Sequence, residues 1–289
     1  MNWDDLRVFL DVSRRPKLEE AASHLHMDAT TISRRIKKLE QELGLTLFER
    51  TRRGHSLTPA GERLAARVEA MESVSLDVMA ASETEQSAAG RIRLGATEGL
   101  GTAIIAPALK DFRQAHPRID IDLIALSGFV SVPKRQADMS ILLTRPTAGR
   151  LRIRKLSDYT LNLYAAASYL ETSAPIQSRE DLSAHPLIGY VDDLIYSSQL
   201  RYYDEVLPGL TPQLCSPSIL AQAEMVAAGA GLGILPAFLA RKMDGLVSLL
   251  TNDIRVTRTF WLAVHEDVAG LTRNRLLSDY LSGLLRELP

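Results

Sequence analysis

Thr30, Thr31 and Arg34 carry the first recognisable chemistry in this sequence. Hydroxyls and a guanidinium on one helical face can hydrogen-bond to base edges in a major groove. Ser33, Arg35, Lys37 and Lys38 lie beside them, where cations and a hydroxyl can bind phosphate oxygens or pack next to them. A second cluster, Arg50, Arg52, Arg53 and His55, surrounds Gly54 and suits backbone or minor-groove contact. From Arg34 to Arg53 there are seven Lys/Arg against three Glu, yet the whole chain has a formal net charge of −1. Any nucleic-acid contact is therefore a local patch and not a general affinity for polyanions.

The spacing of apolar residues says what positions these groups. Leu18, Ala21, Ala22 and Leu25 form one stripe of a short helix. His26 and Met27 carry a corner, and Asp28 is placed to cap the next helix. That helix turns Ile32, Ile36, Leu39 and Leu43 inward and leaves Thr30, Thr31, Arg34, Arg35 and Lys38 on the other face. Trp3 to Arg15 reads as a third helix, with Leu6, Phe9 and Leu10 completing a small core. Gly44 stops the long helix through a left-handed conformation. LTLFERTRRGHSL then reads as a β-wing, with Leu45 and Leu47 inward and the cations near its tip. Hydroxyls at a helix start, backed by cations and a basic wing, suit a helix seated in a major groove. A helical hairpin with a merely solvated face is the alternative.

Thr58 as cap and Pro59 at the first helical position open a further helix running to about Ser87. Leu64, Val68, Met71, Ser75 and Val78 recur at four, three, four, three, a seam suited to pairing with a second copy, the alternative being a helix packed on its own domain. SETEQSAAG then links to a different grammar.

From Arg91 onward, strands alternate with helices, the signature of a parallel sheet with covered faces. Ile92 and Leu94 alternate as a first strand, GATEGLGT turns into a helix over Ala103 to Phe112, and IDIDLIAL and MSILLT read as further strands. LNLYAAA, a strand within YVDDLIY, the helix Ile219 to Ala228, GLGILP and FWLAVH follow. A last amphipathic helix, Leu271 to Leu288, returns to the first lobe. Two α/β lobes create a cleft, and open sheets bind ligands at their strand ends. On one wall stand Thr97, Glu98, Gly99 and Thr102, then Leu126 and Ser127, then Thr144 and Arg145. The other wall offers Asp192, Asp193, Ser216, Ser218 and Gly231. Free N–H groups at a helix start would suit a carboxylate. Glu98, pointing inward, would instead favour an amine or hydroxyl. Both readings stand, as does glycine-assisted packing for the turn.

Other classes fit poorly. Cys215 is the only cysteine, so no disulfide framework or cysteine zinc cluster arises, and a small buried residue is the expected role. The six histidines are scattered without metal-ligand spacing. The glycines from Gly95 to Gly101 miss the dinucleotide spacing, and GxSxG, HExxH and the P-loop pattern are absent. Neither a catalytic cluster nor a cofactor is expected. No run is long and apolar enough to span a membrane, and the first residues lack signal-peptide order. A cytoplasmic protein is expected.

AASHLHMDATTISRRIKKLEQELGLTLFERTRRGHSLTPAG, followed by a long helix and an α/β region, resembles the LysR-type transcriptional regulators. RPTAGRL, LYAAASYL, AHPLIGY and VAAGAGLGILPAFLA add to the likeness along nearly the whole chain. The resemblance implies a winged helix-turn-helix, a linker helix that dimerises, and a two-lobed effector domain like periplasmic binding proteins. It implies double-stranded promoter DNA, the transcription machinery and a small-molecule effector, such as a small organic acid, as partners, and a homodimer built into a homotetramer. Domains are expected at 1–58, 59–90 and 91–289, with lobe I about 91–161 and 266–289 and lobe II about 162–265. The rival reading is a two-lobed binder without DNA function. Asp28, Ala29 and Pro133 depart from the family pattern. Ser-Gln is frequent at the recognition-helix start, but Asp28 and Ala29 stand here. The Ala29 methyl can touch a thymine methyl but cannot hydrogen-bond, so readout leans on Thr30, Thr31 and Arg34. Pro133 interrupts a helix that relatives often begin there.

Overall fold

A computed structural model describes residues 2–15, 17–51, 54–82, 88–128, 137–286 and 288. The chain divides into two compact units, Met1–Ser82 and Glu83–Pro289.

In the first unit, α1 (Trp3–Arg14), α2 (Leu18–Leu25) and α3 (Ala29–Leu43) enclose one core. Asn2 caps α1 by accepting the Asp5 N–H at 2.8 Å. Phe9, Leu10, Ile32, Leu39 and Leu47 are fully buried, and Leu18, Ala22, Leu25, Met27 and Leu43 pack around them. The corner is made by His26, whose φ of 52° lets the chain reverse between the two helices. Asp28 occupies the cap position of α3, but its side chain accepts no capping hydrogen bond, contrary to expectation. Its backbone carbonyl receives the Ile32 N–H at 3.1 Å instead. Gly44 ends α3 at φ 65°, as expected. Strands β1 (Phe48–Thr51) and β2 (Gly54–Leu57) pair antiparallel to make the wing. Leu47 is buried, but Leu45 is 45% exposed and does not face inward.

Helix α4 spans Pro59–Ser82. Thr58 caps it by accepting the Gly61 N–H at 3.0 Å. The Thr58 hydroxyl also donates to the Thr46 carbonyl at 2.7 Å, tying wing to helix. The expected pairing seam is partly spent inside this unit. Val68 is buried in the core and Leu64 packs against it, whereas Met71 is 50% exposed. Spacing cannot distinguish a seam facing α1 from one facing a second copy. The Val78 side chain, the helix end near Ser87 and Pro133 lie outside the described residues.

The second unit is built on one mixed sheet. Strand β3 (Gly90–Thr97) pairs parallel with β4 (Ile119–Leu126) and with β5 (Met139–Leu142). Two long strands, β6 (Leu151–Ala166) and β11 (Val256–His265), run antiparallel and carry the sheet from lobe to lobe. The far lobe adds β7 (Leu187–Gly189), β8 (Leu214–Cys215), β9 (Leu232–Pro236) and β10 (Leu246–Leu249). The residues 192–194 form a single helical turn, so no strand falls within YVDDLIY; the nearby strand is β7, just before it. After β3 the chain makes one helical turn at Glu98–Leu100, a wider π turn at Gly101–Ile105, then α5 (Ala106–Ala115). Gly101 is required there, since a Cβ would sit 2.6 Å from that of Ala125. Helix α6 (Ile219–Ala227) covers β9, and α7 (Thr272–Leu284) returns to the first lobe. There the Tyr280 hydroxyl donates to the Ala108 carbonyl at 2.6 Å and its ring packs on Phe112.

Candidate functional site

Helix α3 presents a polar face because its buried residues occupy only one stripe. Thr30, Arg34, Lys37 and Lys38 are exposed, while Ala29, Thr31, Ser33 and Arg35 are half-buried. Arg35 and Lys38 are partly engaged within the unit: their nitrogens stand 3.4 and 3.7 Å from the Asp5 carboxylate. Lys38 also lies 3.8 Å from Glu42. Arg34 and Lys37 therefore project as the less encumbered cations of this face. On the wing, Arg50 and His55 are cross-strand partners. The His55 ring meets Phe48 edge-on at 6.4 Å. Arg52 and Arg53 lie outside the described residues, and of Arg50 only the backbone is described. Glu40 anchors the wing, accepting the N–H groups of Leu47 at 2.7 Å and Phe48 at 3.3 Å. Gly61 lets α4 pass close to it, since a Cβ there would stand 2.2 Å from the Leu47 carbonyl oxygen.

The second unit encloses a cavity of about 280 Å3 between its lobes. That is near the lower end of small-molecule sites, which span roughly 300–1,000 Å3. Strand ends supply one wall through Gly95, Ala96 and Thr97 from β3, and through Ser140 to Thr144. Tyr196, Ser197 and Ser198 supply the other. Thr144 Oγ1 and Ser197 Oγ face each other at 3.2 Å. A narrow recess of about 30 Å3 shares Thr97, Leu143 and Tyr196 with the cavity. Six aromatic rings line it, from Tyr159, Tyr190, Tyr196, Tyr202, Phe238 and Phe260. Tyr159 stacks on Phe260 with centroids 4.1 Å apart. Burial, with the Glu98 carboxylate nearby, pushes the Tyr196 phenol up to about 12.

Of the residues expected on the cleft walls, Thr97 and Thr144 line the cavity, and Thr97, Glu98, Gly99 and Ser127 line the recess. Ser218 joins through Glu98, whose carboxylate accepts its hydroxyl at 2.9 Å and the Ile219 N–H at 3.0 Å. Ser216 stands behind, its hydroxyl accepting the Ser218 N–H at 3.1 Å. Gly99 makes room for Ile219, which a Cβ would approach to 3.0 Å. Thr102, Leu126, Arg145, Asp192, Asp193 and Gly231 are not among the lining residues. Arg145 lies over the Trp261 ring, Asp192 pairs with Arg201 at 2.6 Å, and Gly231 is pressed against the Pro186 carbonyl. Cys215 is exposed, not buried as expected. Sequence reasoning missed Tyr196, Ser197, Ser198 and the aromatic recess. The density of tyrosines between Tyr190 and Tyr203 was the available signal.

A winged helix-turn-helix in one unit and a two-lobed cleft of ligand size in the other define a DNA-binding regulator with an effector domain. The chain belongs to the LysR-type transcriptional regulators. Residues 3–62 match the bacterial regulatory helix-turn-helix proteins of the lysR family, and residues 85–285 match the LysR substrate binding domain. These families regulate transcription and are not enzymes. Among relatives, the Mau operon transcriptional activator of Paracoccus denitrificans is 26% identical, with 99% of this chain and 98% of the relative covered. The regulator CrgA of Neisseria meningitidis is 27% identical, covering 97% and 96%. Solved folds agree. Full-length OxyR from Pseudomonas aeruginosa superposes with a TM-score of 0.74 at 20% identity, covering 100% of this chain and 99% of that one. LysG from Corynebacterium glutamicum, solved with bound effector Arg, gives 0.64 at 16%, covering 99% and 98%. No helix among the described residues is long and apolar enough to cross a membrane.

Proposed function

We propose that this regulator reads promoter DNA through Thr30, Thr31 and Arg34 on α3, as a homo-oligomer whose affinity or geometry is set by a small molecule in the interlobe cavity. The observation that carries the DNA reading is the exposed face of α3, where Thr30, Arg34 and Lys37 stand clear of the core. Base contacts specify and phosphate contacts position. Arg34 is assigned the first role, with Thr30 and Thr31; Ser33, Arg35, Lys37 and Lys38 take the second, joined by the wing residues Arg50, Arg52, Arg53 and His55. Ala29 offers only a methyl. The working division is DNA-binding domain 1–58, linker helix 59–90 and effector domain 91–289. Met71, exposed on α4, supports pairing of linker helices between two copies, and a tetramer is the proposed assembly. The proposed place of action is the cytoplasm, with the transcription machinery as further partner.

Selection from a random duplex pool tests this. The full chain should enrich one motif with two related half-sites, as a symmetric dimer demands. Arg34→Ala should relax the motif at one position per half-site. A pool that remains random after selection by well-folded protein sinks the proposal. The sequence left a carboxylate and an amine or hydroxyl open as effector chemistry; the geometry around Glu98 bears on that choice.

A further inference from the structure

The anion position in the cleft is already filled by the protein itself. Helix α6 opens next to the recess, and its first N–H groups would attract a ligand carboxylate. Instead Glu98, from the opposite lobe, supplies that carboxylate. Its Oε2 accepts the Ile219 N–H at 3.0 Å and its Oε1 the Ser218 hydroxyl at 2.9 Å. The Ser218 hydroxyl in turn accepts the Ala221 N–H at 3.1 Å, and the Ser218 carbonyl accepts the Gln222 N–H at 3.1 Å. The Ile219, Ala221 and Gln222 N–H groups at this helix start are thus committed to Glu98 and Ser218. Lys242, also from the far lobe, donates to the Ala103 carbonyl and so ties the lobes beside the same turn.

Among the described residues, the neighbouring cavity offers no cation. Its lining, among the described residues, contains no Lys, Arg, His, Asp or Glu. Arg145, one residue past the lining, is exposed and lies 5.6 Å from the Trp261 ring centroid. What the cavity does offer is apolar wall from Ile141, Leu142 and Leu143, with hydroxyls of Thr97, Thr144 and Ser197 around it. A carboxylate entering would lose water without gaining a countercharge from these described residues, and Glu98 would repel it. An ammonium would find a carboxylate whose charge is already shared with a helix start and two donors. Hydroxyl and carbonyl groups can bond to the wall hydroxyls without either penalty.

We propose that the interlobe cavity takes an uncharged, largely apolar small molecule carrying a hydroxyl or carbonyl group, with Glu98 standing in for an anionic effector at the start of α6. The inference rests on the cavity being the effector site.

Calorimetry of the full chain with benzamide, benzyl alcohol, benzoate and benzylamine tests it. The two uncharged probes should bind wild-type protein, and the charged pair should bind at least tenfold more weakly. Glu98→Ala should gain roughly tenfold in benzoate affinity, because the helix start and the Ser218 hydroxyl are released. Glu98→Gln, which removes the charge but still fills the position, should gain clearly less than Glu98→Ala. Benzoate or benzylamine binding wild type as tightly as benzamide overturns the proposal. So does failure of both uncharged probes to bind, or a Glu98→Ala variant with unchanged benzoate affinity. Ser198→Trp, which fills the cavity from its exposed rim, separates the two levels. Uncharged-probe binding that survives this substitution sinks the cavity assignment itself. Wild-type benzoate binding that disappears with it keeps the cavity and sinks only the charge inference.

Discussion

Asp5 on α1 holds Arg35 on α3 from beneath, with guanidinium nitrogen and carboxylate oxygen 3.4 Å apart. Asp5 is only 3% exposed and lies 3.7 Å from Lys38 as well. One buried acid therefore restrains two of the cations assigned to phosphate. Cations facing a buried carboxylate offset part of the water it loses. The DNA-facing helix is thus oriented by charge as well as by Ile32, Ile36 and Leu39.

Asp5→Asn should loosen both cations at once. The first unit is expected to lose about 1–2 kcal/mol, between the values for exposed and buried pairs. Non-specific DNA affinity should rise at low salt, with a salt slope steeper by about one. Chemical denaturation and salt-series mobility shifts read the two effects. Unchanged stability together with an unchanged slope would show that the ion pairs do not form in solution.

Arg34 and Lys37 separate readout from grip. Losing a base contact costs roughly 1–3 kcal/mol at one position, whereas losing a phosphate contact weakens all sequences alike. Arg34→Ala should therefore narrow the gap between operator and random duplex. Lys37→Ala should leave that gap intact and lower the salt slope by about one. Competition binding at several ionic strengths checks the assignment, and exchanged phenotypes would reverse the two roles.

Gly61 is a packing glycine in an ordinary helix. An added Cβ would stand 2.2 Å from the Leu47 carbonyl oxygen and 2.9 Å from Leu57 Cδ2. Backbone is the obstacle, so wing and α4 must separate. Gly61→Ala should destabilise the first unit by about 1–3 kcal/mol, as overpacking does, despite alanine's better helix propensity. A midpoint at or above wild type in urea denaturation would contradict this packing.

What the sequence could reveal followed the range of its signals. The helix-turn-helix, the wing, the Thr58 cap and the alternating strands are local patterns, and each was readable within about twenty residues. Leu64 and Val68 stayed ambiguous because a four-three repeat is the same whether it packs on α1 or on another copy. Asp28 has the right residue type for a cap, but residue type does not fix a side-chain hydrogen bond. The cleft is assembled across longer separations. Glu98 and Ser218 were each picked out, on opposite walls, but no spacing rule joins residues that far apart. The aromatic recess draws Tyr159, Tyr190, Tyr202, Phe238 and Phe260 from several elements with no common period.

Tyr196 links that recess to alkaline stability. Its phenol is pushed from 10.0 up to about 12, first by burial and then by the Glu98 carboxylate. The folded chain thus holds this proton more tightly than the unfolded one. Its contribution is complete below about pH 10 and is lost as pH rises towards 12. That displacement corresponds to roughly 2–3 kcal/mol at most. Burial also raises the phenols of Tyr159, Tyr190, Tyr202 and Tyr203, so the second unit should weaken steeply in that range. Tyr196→Phe should make the fall in stability above pH 10 shallower. Glu98→Gln should move the Tyr196 titration downwards by removing the nearby charge. Ultraviolet difference titration of the two variants against wild type resolves both effects. A Tyr196 that ionises near 10 in the folded protein would mean that the recess is open to water, and the closed contact between Glu98 and Ser218 would fall with it.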